Sequence, residues 1–202
     1  KNLVLVSVEE KPDFLYEPKS FRTVLDFTRD VNTPAFSIMS PAESFNIPGL
    51  GFSIVLSNND KFSQDFTESY CEKYYPEPSC LDEMIMKDLQ NNLDWLEAAK
   101  IVLKENHDSL SDCLIKGGLS MPTEYEKSYI LPVDCRSMGL SDKKLRSFWK
   151  EKAYAIPTMG SEINPSLSGI IFLNVGCSSF QMKKVIFNIT KAMEDMRSNG
   201  TL

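Results

Sequence analysis

Apolar residues fall along this chain in two rhythms. In the first third they form short, almost unbroken runs: Asn2 to Val8, Ala35 to Ser40 and Gly51 to Leu56. A continuous run, unlike an alternating one, predicts a strand covered on both faces. The turn between the second and third runs carries Pro41, Pro48 and Gly49. From Asn59 the rhythm becomes helical, with Asn59 as the predicted N-cap of a helix running towards Tyr70. Tyr74-Tyr75-Pro76-Glu77-Pro78-Ser79 is a break. Beyond it Met84, Ile85, Leu89, Leu93, Leu96, Ala99 and Leu103 recur at helical spacing, which predicts one long helix from about Leu81 to Glu105. Gly117-Gly118 should stop a short helix that follows. The last third predicts a strand at Ser128 to Val133, placed at an edge or bulge by Pro132. A helix from Ser141 to about Ala153, a buried strand from Gly169 to Val175 and a closing helix from Ser179 to Met196 complete it.

The expected layout has two parts joined by the long helix: residues 1–78, a helix over 79–106, and an α+β unit over 107–202. Three strands built for burial, with little of their own to cover them, are an incomplete layer structure. Residues 1–78 are therefore expected to find further sheet elsewhere, from another chain or from a preceding segment. No internal repeat or low-complexity stretch is present.

Composition narrows the function. The 202 residues are 42% hydrophobic and 25% charged, ordinary globular values. A formal net charge of -6 argues against binding nucleic acid or an anionic membrane through the overall field. No apolar run is long enough to span a bilayer. Cys71, Cys80, Cys113, Cys135 and Cys177 are odd in number and widely spaced, and His107 is the single histidine, so neither a zinc site nor a disulfide framework is expected. Reduced thiols in a cytoplasmic protein are the matching expectation. Sequons at Asn188 and Asn199 read as chance matches, the first lying within the predicted closing helix.

One segment goes further. Ser40-Pro41-Ala42-Glu43-Ser44-Phe45-Asn46-Ile47-Pro48-Gly49-Leu50 resembles the lysine motif of the fold-type I, pyridoxal-phosphate-dependent aminotransferase superfamily. More narrowly, it is similar to the cystathionine β-lyase and C–S lyase branch, S-P-S-K-x-F-N-[IL]-[AP]-G-L. Val133-Asp134-Cys135-Arg136-Ser137-Met138-Gly139-Leu140-Ser141 resembles that branch's W-x-D-C-R-x-L-G-L-S, and Leu173-Asn174-Val175-Gly176-Cys177 its L-N-[IL]-G-C-P-R. Asp94-Trp95-Leu96 falls where the family's inter-domain helix often carries those residues. The resemblance implies an α/β fold: the C-terminal portion of the large-domain sheet followed by a complete α+β small domain. The half bearing the phosphate loop and the ring-stacking aromatic would precede it.

It also implies which residues the chemistry would need. The Schiff-base lysine position holds Glu43, and a carboxylate cannot form an imine. The carboxylate that keeps the pyridine nitrogen protonated belongs to S-D-E-x-[YH], here Ser7-Val8-Glu9-Glu10-Lys11, so Val8 stands in its place. Glu9 or Glu10 could substitute only by a one-residue shift, which turns the side chain to the other face. Lys11 occupies the position of the aromatic or imidazole near the cofactor's phenolic oxygen, and its place at a different strand end argues against a relocated Schiff-base role. Ser179 stands where an arginine would pair with a substrate carboxylate. The substrate loop has become Glu126-Lys127-Ser128-Tyr129, and P-G-x-x-F-G has become Thr158-Met159-Gly160-Ser161-Glu162-Ile163-Asn164. Asn46, Pro48 and Gly49 keep the turn, and Ser40 matches a serine that often contacts cofactor phosphate.

No catalytic residue and no metal ligand is therefore assigned, and Ser40 is the one cofactor-binding candidate. The expected function is a catalytically inactive subunit or half-protein, with no cofactor unless a partner completes the site. Its partner would be the N-terminal half-protein or an active homologous subunit, in a homo- or heterodimer. The alternatives are half of a split active aminotransferase or C–S lyase acting on amino acids, and a small-molecule-binding module using a less charged cleft.

Overall fold

The computed structural model describes residues 3–16, 21–31, 33–74, 79–123, 125 and 127–198. Lys1, Asn2, Tyr75 to Pro78, Glu126 and Asn199, invoked above, lie outside them. The chain divides into two compact units, Lys1–Ala98 and Ala99–Leu202.

The first unit is built on three strands, β1 (Leu5–Val8), β2 (Ala35–Met39) and β3 (Ile54–Ser57), in the order β1-β2-β3. β1 runs parallel to β2 with Leu5 opposite Ala35, and β3 runs antiparallel with Ser57 opposite Phe36. The short helix α1 (Val24–Phe27) lies between β1 and β2 in the chain, and α2 (Pro41–Ser44) follows β2. One buried group organises these pieces. The Glu9 carboxylate accepts hydrogen bonds from Ser37 Oγ at 2.6 Å, Val24 N at 2.8 Å and Thr23 Oγ1 at 2.9 Å. It thereby ties β1 to β2 and both to the start of α1, whose N-cap is Thr23. Burial pushes the Glu9 carboxyl up, but the bonds from Ser37, Val24 and Thr23 outweigh it and hold the group below the ordinary carboxylate range.

β1 is a strand, as its apolar run predicts, but it is not buried. Val4, Val6 and Val8 on one face are 46%, 62% and 65% exposed, and Leu3 and Leu5 on the other are exposed too. Burying a valine side chain stabilises a fold by roughly 1.5 kcal/mol or more, and β1 forgoes that at each position. Burial read from a hydrophobic run presupposes neighbouring strands and layers. Among the described residues, β1 has a strand on one side alone.

Asn59 caps α3 (Asp60–Tyr74), its side chain accepting from Phe62 N at 3.0 Å. The expected single helix from Leu81 to Glu105 is instead two: α4 (Cys80–Leu89) and α5 (Leu93–Lys116), separated by a 3-10 turn at Gln90–Asn92. Asn91 and Asn92 donate to Asp88, so local side-chain bonds compete with the helical ladder there. Gly117-Gly118 ends α5 itself, not a further short helix. Gly118 takes φ +86°, Leu119 N donates to Leu114 O and Gly118 N to Ile115 O, a Schellman cap.

The second unit packs α5, α6 (Asp142–Glu151) and α8 (Ser179–Ser198) with a sheet ordered β4 (Ile130–Asp134), β6 (Ile170–Asn174), β5 (Thr158–Met159). Leu110, Leu114, Leu131, Trp149, Ile171 and Ile189 are fully buried in its core. Pro132 lies on the outer strand β4, as predicted. Asp134 N points to the outer edge, towards Ser120 O, so the Pro132 nitrogen two residues earlier faces that edge and costs no bond to β6. The four-residue helix α7 (Gly160–Ile163) follows β5. It starts at a glycine whose added Cβ would meet Leu167 O at 2.5 Å and Ile170 O at 2.8 Å.

Glu9→Gln is expected to lower stability by about 2 kcal/mol, the scale of a charged, partly buried hydrogen-bond set, measured by urea unfolding. Because the folded-state pKa is depressed, this contribution is complete above the unfolded carboxylate pKa and is lost as pH falls through the folded one, so the variant should have a flatter acid limb. In the second unit, Gly118→Ala should cost about 1 kcal/mol, from left-handed strain alone. Gly160→Ala should cost more in the same thermal melts, since rigid backbone carbonyls block its Cβ.

Candidate functional site

In sheets with parallel strands, ligands gather at the carboxyl ends of the strands. Here two chain segments leave those ends side by side. Past β1 the backbone turns at Lys11, a non-glycine residue in the left-handed region at φ 53°, ψ 42°, into a 3-10 turn at Pro12–Phe14. Past β2 it enters α2, with Ser40 as N-cap and Pro41 at the first position, and leaves through Asn46 at φ +55°.

Lys11 and Glu43 meet between these segments, with Nζ 3.0 Å from Oε2. The pair is partly exposed, and such pairs contribute under about 1 kcal/mol. Its interest is placement: the carboxylate at the motif's lysine position holds an ammonium supplied by the neighbouring strand end. One step on, Ser44 Oγ donates to the Asp13 carboxylate, a second tie between the same segments. Ser40 Oγ donates to Phe52 O at 2.8 Å, so its proton serves the turn before β3. Phe45 stacks on Trp95 at 6.1 Å, which gives the Asp94-Trp95-Leu96 match a packing role. Val8 is exposed, and the neighbouring Glu9 carboxylate is committed to Thr23, Val24 and Ser37.

The second unit holds the remaining motif residues. Buried Asn106 on α5 donates to Val175 O at 3.1 Å and Cys177 O at 2.8 Å. Asn174 Oδ1 accepts from Gly176 N at 2.7 Å. These bonds shape the Leu173 to Cys177 segment, and Ser179, exposed, opens α8 behind it. Arg136 clasps the Asp134 carboxylate with Nε and Nη2, which holds Asp134 below its ordinary range. His107 is buried, with Nδ1 3.2 Å from Asp108 and Nε2 3.5 Å from Tyr125 Oη. Burial dominates there and keeps the imidazole more readily neutral than usual, despite Asp108. Burial pushes the Cys135 thiol up to about 12, too high for a reactive thiolate. All five cysteines are free thiols. Among the described residues no cluster of three potential metal ligands occurs, and no helix is long and apolar enough to cross a membrane.

Sequence reasoning considered Lys11 and Glu43 separately and missed their pairing, which needs the register of β1 on β2. It also missed Asn106, whose one available signal was a polar residue on the inward side of an amphipathic helix.

No family model matches the chain, and no curated protein does. Solved structures do. Cystalysin from Treponema denticola, which contains a pyridoxal 5'-phosphate cofactor, superposes with a TM-score of 0.81 at 19% identity, over 96% of this chain and 50% of that one. A pyridoxal-phosphate-bound C–S lyase from Staphylococcus hominis gives 0.75 at 21%, over 93% and 46%. An aromatic aminotransferase from Pyrococcus horikoshii gives 0.79 at 12%, over 99% and 52%. This chain thus spans about half the length of the structures it matches, and its α/β fold is that of the C-terminal half of the pyridoxal-phosphate-dependent transferases.

Proposed function

We propose that this chain is a catalytically inactive aminotransferase- or C–S lyase-like polypeptide that assembles with a partner, either an N-terminal half-protein or an active homologous subunit. The observation that carries the reading is the Lys11–Glu43 ion pair. At the lysine position of the resembling motif stands a carboxylate, and it is engaged by a cation. Val8 adds to this, offering no acceptor for a pyridine N–H, and Ser179 offers no cation for a substrate carboxylate. The donor set of this chain therefore does not fit pyridoxal phosphate. Residues 1–78 act as part of a large domain, 79–106 as the connecting segment and 107–202 as the small domain. Ser40 would be this chain's one residue at a cofactor phosphate, should a partner complete the site, and its hydroxyl would have to turn away from Phe52 O to donate there. A cytoplasmic setting agrees with five free thiols.

The second reading is half of a split active enzyme. It is favoured by the same pair, since the Lys11 amine stands beside the motif's lysine position. The two readings separate on one measurement. Purified chain mixed with pyridoxal phosphate, reduced with borohydride and mapped by mass spectrometry should show only scattered, substoichiometric lysine adducts. Stoichiometric trapping at Lys11, with an imine absorbance band, would instead establish the split enzyme. Light scattering on native protein should find the chain in a complex. A monodisperse, cooperatively folded monomer would sink the assembly reading.

A further inference from the structure

Where α6 ends against α8, the second unit holds a cavity of about 410 Å³, a size typical of small-molecule sites. Buried Phe148 and Ala192 form its floor. Its sides carry two aromatic rings left in water, Tyr154 at 71% and Phe187 at 68% exposed. Four charged side chains also line it, Glu151 and Lys152 from the end of α6, and Lys191 and Asp195 from α8. Among the described residues, none of these four side chains makes a hydrogen bond or ion pair, and neither ring contacts another. Elsewhere in the same unit opposite charges are joined, as Arg146 is to Glu162 and Lys104 to Asp108.

Two features set this cavity apart from an ordinary surface groove. Tyr154 is held there against its backbone preference. The chain leaves α6 through it at φ 52°, in the left-handed region that suits glycine and penalises a bulky side chain, and Ala155 N closes the turn onto Trp149 O at 2.9 Å. Strained residues of this kind gather at ligand sites. The second feature is repetition. On α8, Phe187, Lys191 and Asp195 follow at every fourth residue, about 6 Å apart along the axis, so an aromatic, a cation and an anion succeed one another on one side of the helix. The end of α6 supplies the same set: Tyr154, Lys152 and Glu151. Each chemical type is therefore presented from both sides of the cavity.

We infer that this cavity binds a small aromatic molecule carrying both a carboxylate and an ammonium group. Its ring lies between Tyr154 and Phe187 over the apolar floor, its carboxylate meets Lys152 and Lys191, and its ammonium meets Glu151 and Asp195. The half-buried Asn188 amide, which also lines the cavity and has no partner of its own among the described residues, offers a further donor and acceptor. Both ligand charges are needed. A lone anion would face the two carboxylates unpaired, and a lone cation the two ammonium groups. The cavity is lined by residues of the second unit alone and is separate from the motif's lysine position, which lies in the first.

L-phenylalanine is the probe, with phenethylamine, which lacks the carboxylate, and hydrocinnamate, which lacks the ammonium, as controls. Titrated into the native protein, in the complex it forms, L-phenylalanine should bind with a Kd of about 1 mM or tighter and shift the backbone amide resonances of Tyr154, Phe187 and Lys191. Each control should bind about tenfold more weakly or worse. Phe187→Ala, at an exposed side chain, should weaken L-phenylalanine by a similar factor with the melting temperature within a few degrees of wild type. Tyr154→Gly should weaken it as much while melting no lower than wild type, because glycine relieves the left-handed strain. Replacing Lys152 and Lys191 together by glutamine should abolish the preference for L-phenylalanine over phenethylamine and leave its preference over hydrocinnamate. Saturable, charge-selective binding that Phe187→Ala removes establishes the site. No binding, equal binding of all three probes, shifts that map outside the cavity, or a macromolecular partner that shields Tyr154 and Phe187 in the native complex each overturns it.

Discussion

A carboxylate taken out of water must find donors, and Glu9 finds three of them, two at the start of α1 and one on β2. That requirement fixes more than a local contact. Ser37 lies one residue before Ile38, which pairs with Val8, so bonding Glu9 to Ser37 holds β1 in parallel register on β2. Register in turn decides which residues emerge together at the strand ends. Slip β1 by one residue and Glu9 turns to the opposite face. With Glu9 in place, Lys11 and Glu43 stand within an ion pair's reach and Asp13 stands beside Ser44. The geometry of the candidate site is thus inherited from a buried acid that takes no part in it.

At the site, charge has been rearranged more than removed. An amine and a carboxylate face each other beside the motif's lysine position, but the carboxylate is on α2 and the amine on the loop after β1. The amine is thus tied into an ion pair by the residue that stands at the motif's lysine position. The second unit has a core of its own. Its core is closed around Trp149 and Ile171, and Asn106 satisfies two carbonyls of the segment leading into α8. Several of its ionisable groups are likewise engaged structurally: Arg136 with Asp134, Asp142 with Gly169 N and Ser168, His107 within the interior.

Much of the fold was legible because its signals are local. The strands at Ala35 and Gly169, the Asn59 cap, the edge position of Pro132 and the extent of the last helix depend on periodicity and on what single residues can donate, whereas the run from Gly51 forms a strand only from Ile54 and, like β1, is exposed and not buried as its continuity predicts. The break at Gln90–Asn92 was not legible, because asparagines tolerate helix interiors until a neighbouring carboxylate offers them another bond. The short α2 was hidden for a related reason: one helical turn has no periodicity. Of the candidate site, the residue types at positions 8, 11, 40, 43 and 179 could be read against a resembling motif. Their partners could not, since Lys11 and Glu43 are far apart in sequence and meet through strand register alone.

By itself, the sequence determined the hydrophobic patterning, hence the strands, the helices and the resemblance to a known fold. It also determined the chemical inventory: no amine at position 43, no carboxylate at position 8, and no cation at position 179. These follow from composition and spacing, which folding does not alter. The tertiary structure alone decided that the apolar run Leu3 to Val8 lies bare along an outer strand, that Glu9 is consumed by Thr23, Val24 and Ser37, and that Glu43 is held by Lys11. Burial and pairing depend on which surfaces meet, and they are settled only when distant segments are brought into register.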